Sequence, residues 1–227
     1  MDKGDADHGQ RLWLRLGLGL TAGVVAGLTG WRRWKASQTS PLIRKGEHLS
    51  ALVTGASSGI GRAYATKLAA QGYDVILVAR RLERLTSLAQ ALSDRYGVAA
   101  TVVSADLATN DGISRVESVI EDTEHLNLLV NNAGFGLVGD FAQSDIERHL
   151  EMLHVHIHAV VRLTRAALPM LLAQNRGAVI NVSSLMAYYP MYGSTTYAGT
   201  KCYLRAFTEA LHQELIGTGV RVQSLCP

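Results

Sequence analysis

The chain has 227 residues, 48% of them hydrophobic and 18% charged, with 22 glycines, 4 prolines and a formal net charge of +3. That apolar content excludes wholesale disorder and a collagen-like repeat, and so small and scattered a charge surplus gives no footing for nucleic-acid binding. Cys202 and Cys226 are the only cysteines; two thiols build neither a disulfide framework nor a four-cysteine metal site, so a reducing compartment is expected.

Residues 1–11 form a polar tail carrying Asp2, Asp5 and Asp7. No charged residue then occurs from Leu16 to Trp31, while Arg11 and Arg15 flank the run on one side and Arg32, Arg33 and Lys35 on the other. A helix over residues 12–34 would be about 33 Å long, enough to cross a hydrocarbon core. Trp13, Trp31 and Trp34 lie near its ends, where indole rings favour the interface. Gly19, Gly23 and Gly27 repeat on one face, a small-residue pattern that lets two membrane helices approach and so fits a homodimer. The preceding acids argue against a mitochondrial presequence, and no small-residue cleavage site follows the run. The basic excess after it places the remainder of the chain in the cytoplasm. Residues 35–47 read as a linker broken at Pro41, and residues 48–227 as a domain.

Within that domain, strand and helix alternate. Ala51–Thr54 is a short buried strand, and Ile60–Gln71 has helical spacing at Ile60, Tyr64 and Leu68. Val75–Ala79 is an apolar run rich in β-branched residues, as in a strand covered on both faces. Helices are expected at Leu82–Tyr96, Ile113–Thr123, Ser144–Ala173 and Thr196–Ile216, with Pro169 as a kink or late break in the third. Strands are expected at Ala99–Val103, Leu128–Val130, Ala178–Val182 and Val220–Leu225. The alternation implies an α/β fold, a doubly wound parallel sheet of Rossmann type.

Thr54-Gly55-Ala56-Ser57-Ser58-Gly59-Ile60-Gly61 lies between the first strand and the first helix. Glycines there allow a sharp turn and close approach of a pyrophosphate to backbone amides, and the helix amino end favours the anion. Gly55, Ser57, Ser58, Gly59, Ile60 and Gly61 are therefore candidate cofactor contacts. The spacing is G-x-x-x-G-x-G and lacks a Walker A lysine, which disfavours ATP hydrolysis. The end of the second strand, where an acid would take the ribose hydroxyls of NAD, holds Arg80 and Arg81. Arginines hydrogen-bond a 2′-phosphate with a charge-assisted fork, so NADP(H) is favoured. Arg81 fits that role or a solvated helix face equally, and Arg84 fits the latter. Tyr197 and Lys201, four apart on a helix, share one face. A neighbouring ammonium favours a phenolate, which suits acid–base chemistry, although Y-x-x-x-K alone also occurs on many surface helices. Ser184 ends the fifth strand, where ligands bind in such sheets, and its hydroxyl can hold a substrate oxygen beside the tyrosine.

Together, Thr54–Gly61 (TGASSGIG), Asn131-Asn132-Ala133-Gly134, Asn181-Val182-Ser183-Ser184 and Tyr197–Lys201 (YAGTK) resemble the short-chain dehydrogenase/reductase family, in its order and at its spacing over residues 48–227. The resemblance implies Tyr197 as general acid or base, Lys201 as its modulator and a nicotinamide-ribose ligand, and Ser184 as the substrate-orienting hydroxyl. It implies Asp106 and Leu107 at the adenine and Asn132, Ala133 and Gly134 along the cofactor, while Ser183 is structural.

Two departures from the family pattern stand out. His156, within His154-Val155-His156-Ile157-His158, occupies the place of the family's asparagine that holds a relay water. It either carries the relay itself or spoils the geometry. The alternate histidines do not share one helix face, so no metal site is expected. The second departure is that the chain ends at Leu225-Cys226-Pro227. The resembled family continues into a proline-glycine turn, a lid, a helix and a seventh strand, so the domain is expected to be C-terminally truncated and the pocket open. The resulting expectation is a membrane-anchored NADP(H)-dependent oxidoreductase interconverting a carbonyl and a secondary alcohol. The alternative is a truncated non-catalytic fragment that retains only dinucleotide binding. Met186, Tyr188, Tyr189, Met191 and Tyr192 point to an apolar pocket and a hydrophobic substrate.

Overall fold

A computed structural model describes residues 48–227. The expected tail, membrane helix and linker at 1–11, 12–34 and 35–47 lie outside the described residues. The domain is a six-stranded, all-parallel sheet in the order β3-β2-β1-β4-β5-β6. Its strands are β1 (Ser50–Thr54), β2 (Asp74–Ala79), β3 (Ala100–Ser104), β4 (Leu126–Asn131), β5 (Gly177–Val182) and β6 (Val220–Leu225). Helices α1 (Gly59–Ala69), α2 (Leu82–Tyr96) and α3 (Asn110–Glu121) connect the first four strands. Between β4 and β5 run α4 (Ile146–Leu153), a π-helical turn (His154–His158) and α5 (Ala159–Ala173), and α6 (Thr195–Glu214) precedes β6.

Every residue of β4 is buried, as expected of a central parallel strand, its two asparagines included. Leu52, Leu129 and Val179 on neighbouring strands join Ile113, Ile120, Leu163 and Leu171 of the helices in one core. A string of polar side chains crosses it, with Asn131 Oδ1 alone in that string left without a partner. Asn131 Nδ2 donates to Thr164 Oγ1 at 3.1 Å and to Asn181 Oδ1 at 2.9 Å, and Asn181 Nδ2 donates to Thr208 Oγ1 at 2.9 Å. This chain of amides and hydroxyls locks β4 and β5 to α5 and α6.

The differences from expectation are local and have causes. α3 starts at Asn110 rather than Ile113 because the Thr109 side chain caps it, accepting from Gly112 N at 3.1 Å. β4 starts at Leu126, which pairs with Ser50 of β1, and buried Asn127 Nδ2 donates to Gln174 Oε1 at 3.3 Å. Pro169 sits inside α5, which continues to Ala173. The expected single helix at 144–173 is interrupted by the π turn, a wider winding that frequently marks functional sites. The stretch 146–173 is long and apolar enough to cross a membrane, but Met152, Leu163, Ala167 and Leu171 are fully buried, so it packs as a core helix.

The chain leaves β1 toward β2 and β3 on one side and enters β4, β5 and β6 on the other. Connections from the carboxyl ends of β1 and β4 therefore diverge and leave a crevice between them, the switch point at which such sheets bind ligands.

Candidate active site

A cleft of about 640 Å³ opens at that switch point. Thr54, the last residue of β1, organises its floor. Its hydroxyl donates to Val130 O at 3.3 Å and accepts from Asn132 N and Ala133 N, both at 2.9 Å. The Asn132 side chain returns the tie, donating to Thr54 O at 2.8 Å. The loops after β1 and β4 are thus bonded to each other in a fixed register. Gly55 turns between them with φ +68°, and a Cβ there would stand 2.7 Å from Asn132 Nδ2 and 2.9 Å from Ala133 Cα. A Cβ on Gly61 would collide with Gly55 O and Asn132 Nδ2, so this glycine lets α1 pack against the turn. Ser58 makes no side-chain cap to α1, which leaves its first-turn amides to an anion.

The second-strand end of the cleft is charged. Arg81 Nη2 donates to Ser57 Oγ at 2.8 Å and Ser58 Oγ at 3.0 Å, so this arginine is built into the glycine turn and is more than a solvated helix residue. Arg80 Nη1 lies 3.9 Å from Asp106 Oδ2 and 3.5 Å from Glu151 Oε1. Asp106 also shapes its own loop, accepting from Ala108 N at 3.1 Å, while buried Leu107 supplies an apolar wall.

The other end is buried. Lys201, on α6, is only 5% exposed, and its Nζ donates to Val182 O at 2.8 Å while standing 5.5 Å from the Tyr197 ring centre. Burial pushes the Lys201 ammonium down to about 8, against an opposing influence of Cys226. Ser183 Oγ donates to Lys201 O at 2.8 Å, which ties β5 to α6 and fits the structural role expected of it.

His156, at the position where the resemblance places the relay group, is built into the wall of the site. It is 1% exposed, and both ring nitrogens are occupied. Nε2 accepts from Phe135 N at 3.0 Å. Nδ1 lies 2.9 Å from Thr200 Oγ1, whose own hydroxyl donates to Tyr197 O at 2.7 Å. Thr200 therefore accepts from Nδ1–H, which makes the ring neutral with its proton on Nδ1. Burial, followed by the charge of Lys201, lowers the His156 pKa to about 3, so it carries no proton charge near neutrality. The histidine is a strut between the loop after β4 and the helix that bears Tyr197.

Most of the residues singled out in sequence meet in this cleft. Gly55, Ser57, Ser58, Gly59, Ile60, Arg80, Arg81, Asp106, Leu107, Asn132, Ala133, Gly134, Tyr197 and Lys201 line it. Gly61 and His156 stand behind the lining. Ser184 lies at the end of β5, where its hydroxyl accepts from Met186 N at 3.3 Å and caps the 3₁₀ turn Leu185–Ala187. Glu151 and Phe135 also line the cleft, and Thr200 braces it, with no motif announcing any of them. Glu151 stands one helical turn before Val155, another lining residue, and that spacing was the available signal.

A parallel sheet wound in this order around a glycine turn, with Tyr197 and Lys201 beside it, defines a Rossmann-type oxidoreductase domain. The family model for short chain dehydrogenase matches residues 50–227, and the chain belongs to that family. An uncharacterized oxidoreductase of Staphylococcus epidermidis is 38% identical over 178 residues, covering 78% of this chain and 76% of that protein. The very-long-chain 3-oxoacyl-CoA reductase of Anas platyrhynchos is 32% identical over 225 residues, covering 95% of this chain and 72% of its own. Among solved structures, a short-chain dehydrogenase from Sphingobium yanoikuyae in complex with NADPH superposes with a TM-score of 0.77 at 35% identity, covering 79% of this chain and 70% of that one. The glycine cradle, the uncapped first turn of α1 and the volume of the cleft fit a nicotinamide dinucleotide.

Proposed function

We propose that this protein is an NADP(H)-dependent oxidoreductase that interconverts a carbonyl and a secondary alcohol, with Tyr197 as proton donor and acceptor. The observation that carries the reading is a single cleft with Arg80 and Arg81 at one end and Tyr197 with Lys201 at the other. The dinucleotide, when bound, supplies or accepts the hydride. The first-turn amides of α1 and the Gly55–Gly61 cradle hold its pyrophosphate. Arg80 and Arg81 hold the 2′-phosphate through charge-assisted bonds, while Asp106 and Leu107 border the adenine. Lys201 bonds the nicotinamide ribose beside Tyr197, and the Tyr197 hydroxyl gives its proton to the substrate oxygen as the carbonyl is reduced. Ser184 orients that oxygen. The NADPH complex of the Sphingobium relative supports the choice of cofactor.

The substrate side is apolar. Gly139 N donates to Gly193 O at 3.0 Å, joining the loop that follows Gly136 to the loop that precedes Tyr197. These loops expose Val138, Phe141, Tyr188, Tyr189, Met191 and Tyr192. A rim of this kind suits a hydrophobic carbonyl compound. Residues 12–34 anchor the protein in a membrane with the domain on the cytoplasmic face. The support for the anchor is the uncharged run from Leu16 to Trp31 with arginines on both sides.

Equilibrium binding of NADPH and NADH to the detergent-purified chain, followed by cofactor fluorescence, tests the reading. Tight NADPH binding with much weaker NADH binding is expected, and equal affinity would remove the assignment of the arginines. Carbonate extraction of cell membranes should leave the protein in the pellet; release into the supernatant would remove the anchor.

A further inference from the structure

Glu151 is the charged lining residue that the mechanism above leaves without a task. It projects from α4 into the cofactor end of the cleft, opposite the strand ends that carry the arginines. Its two oxygens are divided: one pairs closely with Arg148, three residues earlier on the helix, and the other lies 3.5 Å from Arg80 Nη1. Arg148 is itself placed, with its guanidinium 4.9 Å from the centre of the Phe135 ring, part of the cleft wall. A line of groups, Phe135–Arg148–Glu151–Arg80, therefore spans the opening from the loop after β4 to the end of β2. Arg80, 62% exposed, is held over the cleft between Glu151 and Asp106.

We infer that Glu151 is a specificity-determining residue, a latch whose carboxylate competes with the 2′-phosphate of NADP(H) for Arg80. The inference rests on the reading of this cleft as an NADP(H) site. A ribose 2′-phosphate carries close to two negative charges and takes the guanidinium by charge-assisted hydrogen bonds. Drawing Arg80 onto the phosphate separates it from Glu151 and brings a like charge toward the carboxylate. A free ribose hydroxyl is neutral and makes neither demand. Glu151 thus weakens NADP(H) more than NAD(H), and it recaptures Arg80 as spent cofactor leaves. It acts on cofactor exchange without touching the Tyr197 end.

The test measures NADPH and NADH affinities by fluorescence titration for the wild type, Glu151→Gln, Arg80→Leu and the double variant, with circular dichroism to establish that each is folded. Glu151→Gln keeps the side-chain shape and removes the charge. It is expected to tighten NADPH by about three- to fivefold while NADH changes by less than about twofold. In the Arg80→Leu background the same change should leave the ratio of the two affinities where it was. Equal tightening for both cofactors, or weaker NADPH binding, overturns the latch. If Arg80→Leu itself costs NADPH and NADH alike, the NADP(H) reading fails and the latch with it. If Arg80→Leu is selective and Glu151→Gln is not, the latch alone fails.

Discussion

The two ends of the cleft handle charge in opposite ways. At the β2 end, Arg80 is 62% exposed and shares itself among carboxylates that water also reaches. At the α6 end, Lys201 is 5% exposed and His156 1%, and each is fixed by hydrogen bonds to backbone or to threonine. Exposed charges interact weakly and are screened by salt, so the first end is suited to selecting and releasing a ligand. Buried groups respond strongly to small changes of surroundings, and the lowered values of Lys201 and His156 show it. In the proposed function, recognition falls to the wet end of this cleft and proton chemistry to the dry end.

The sharpest way to separate the ends is Tyr197→Phe. It should lower kcat by about 10³-fold or more while the NADPH dissociation constant stays within about twofold, read by steady-state kinetics beside a fluorescence titration. Loss of binding together with turnover would show that the ends are not separable. The reciprocal change, Arg80→Leu with Arg81→Leu, should weaken NADPH by about 50-fold and NADH far less. Added salt should erode the wild-type preference for NADPH.

His156 tests the dry end by acid. Its folded pKa lies near 3 against an ordinary 6.5, so the unfolded chain binds a proton in that window and the folded one does not. Stability is full above pH 6.5 and falls as the pH drops toward 3, by about 2 kcal/mol at about pH 5 from this group alone. Denaturant titrations at pH 7 and pH 5 should show that difference, and His156→Gln should reduce it; an unchanged pH dependence would mean that His156 protonates in the folded state. The smallest effect is expected at Thr196, whose hydroxyl lies 2.7 Å from His149 Nδ1. Thr196→Ala should cost about 1 kcal/mol of stability and leave kcat within about twofold, because the Tyr197 backbone remains held through Thr200.

The sequence by itself determined the alternating architecture and the cofactor end of the cleft. β-Branched apolar runs such as Val75–Ala79 read as strands covered on both faces, and the glycine turn, Arg80 and Arg81 follow strands directly. The spacing of Tyr197 and Lys201 likewise fixed a shared helix face. These features depend on neighbours in the chain, where periodicity and turn chemistry are explicit. Only the tertiary structure decided the parts made by residues far apart in sequence. No local pattern shows that Thr54 bonds the loop after β4, that Thr200 receives the proton of His156, or that Glu151 faces Arg80 across the opening. The π turn belongs with these, since the His154–His158 segment has the composition of an ordinary helix and its winding is set by the packing around it. The surroundings of His156 were hidden for the same reason. A histidine's chemistry is set by what surrounds its ring, and only the fold shows that both nitrogens of His156 are engaged.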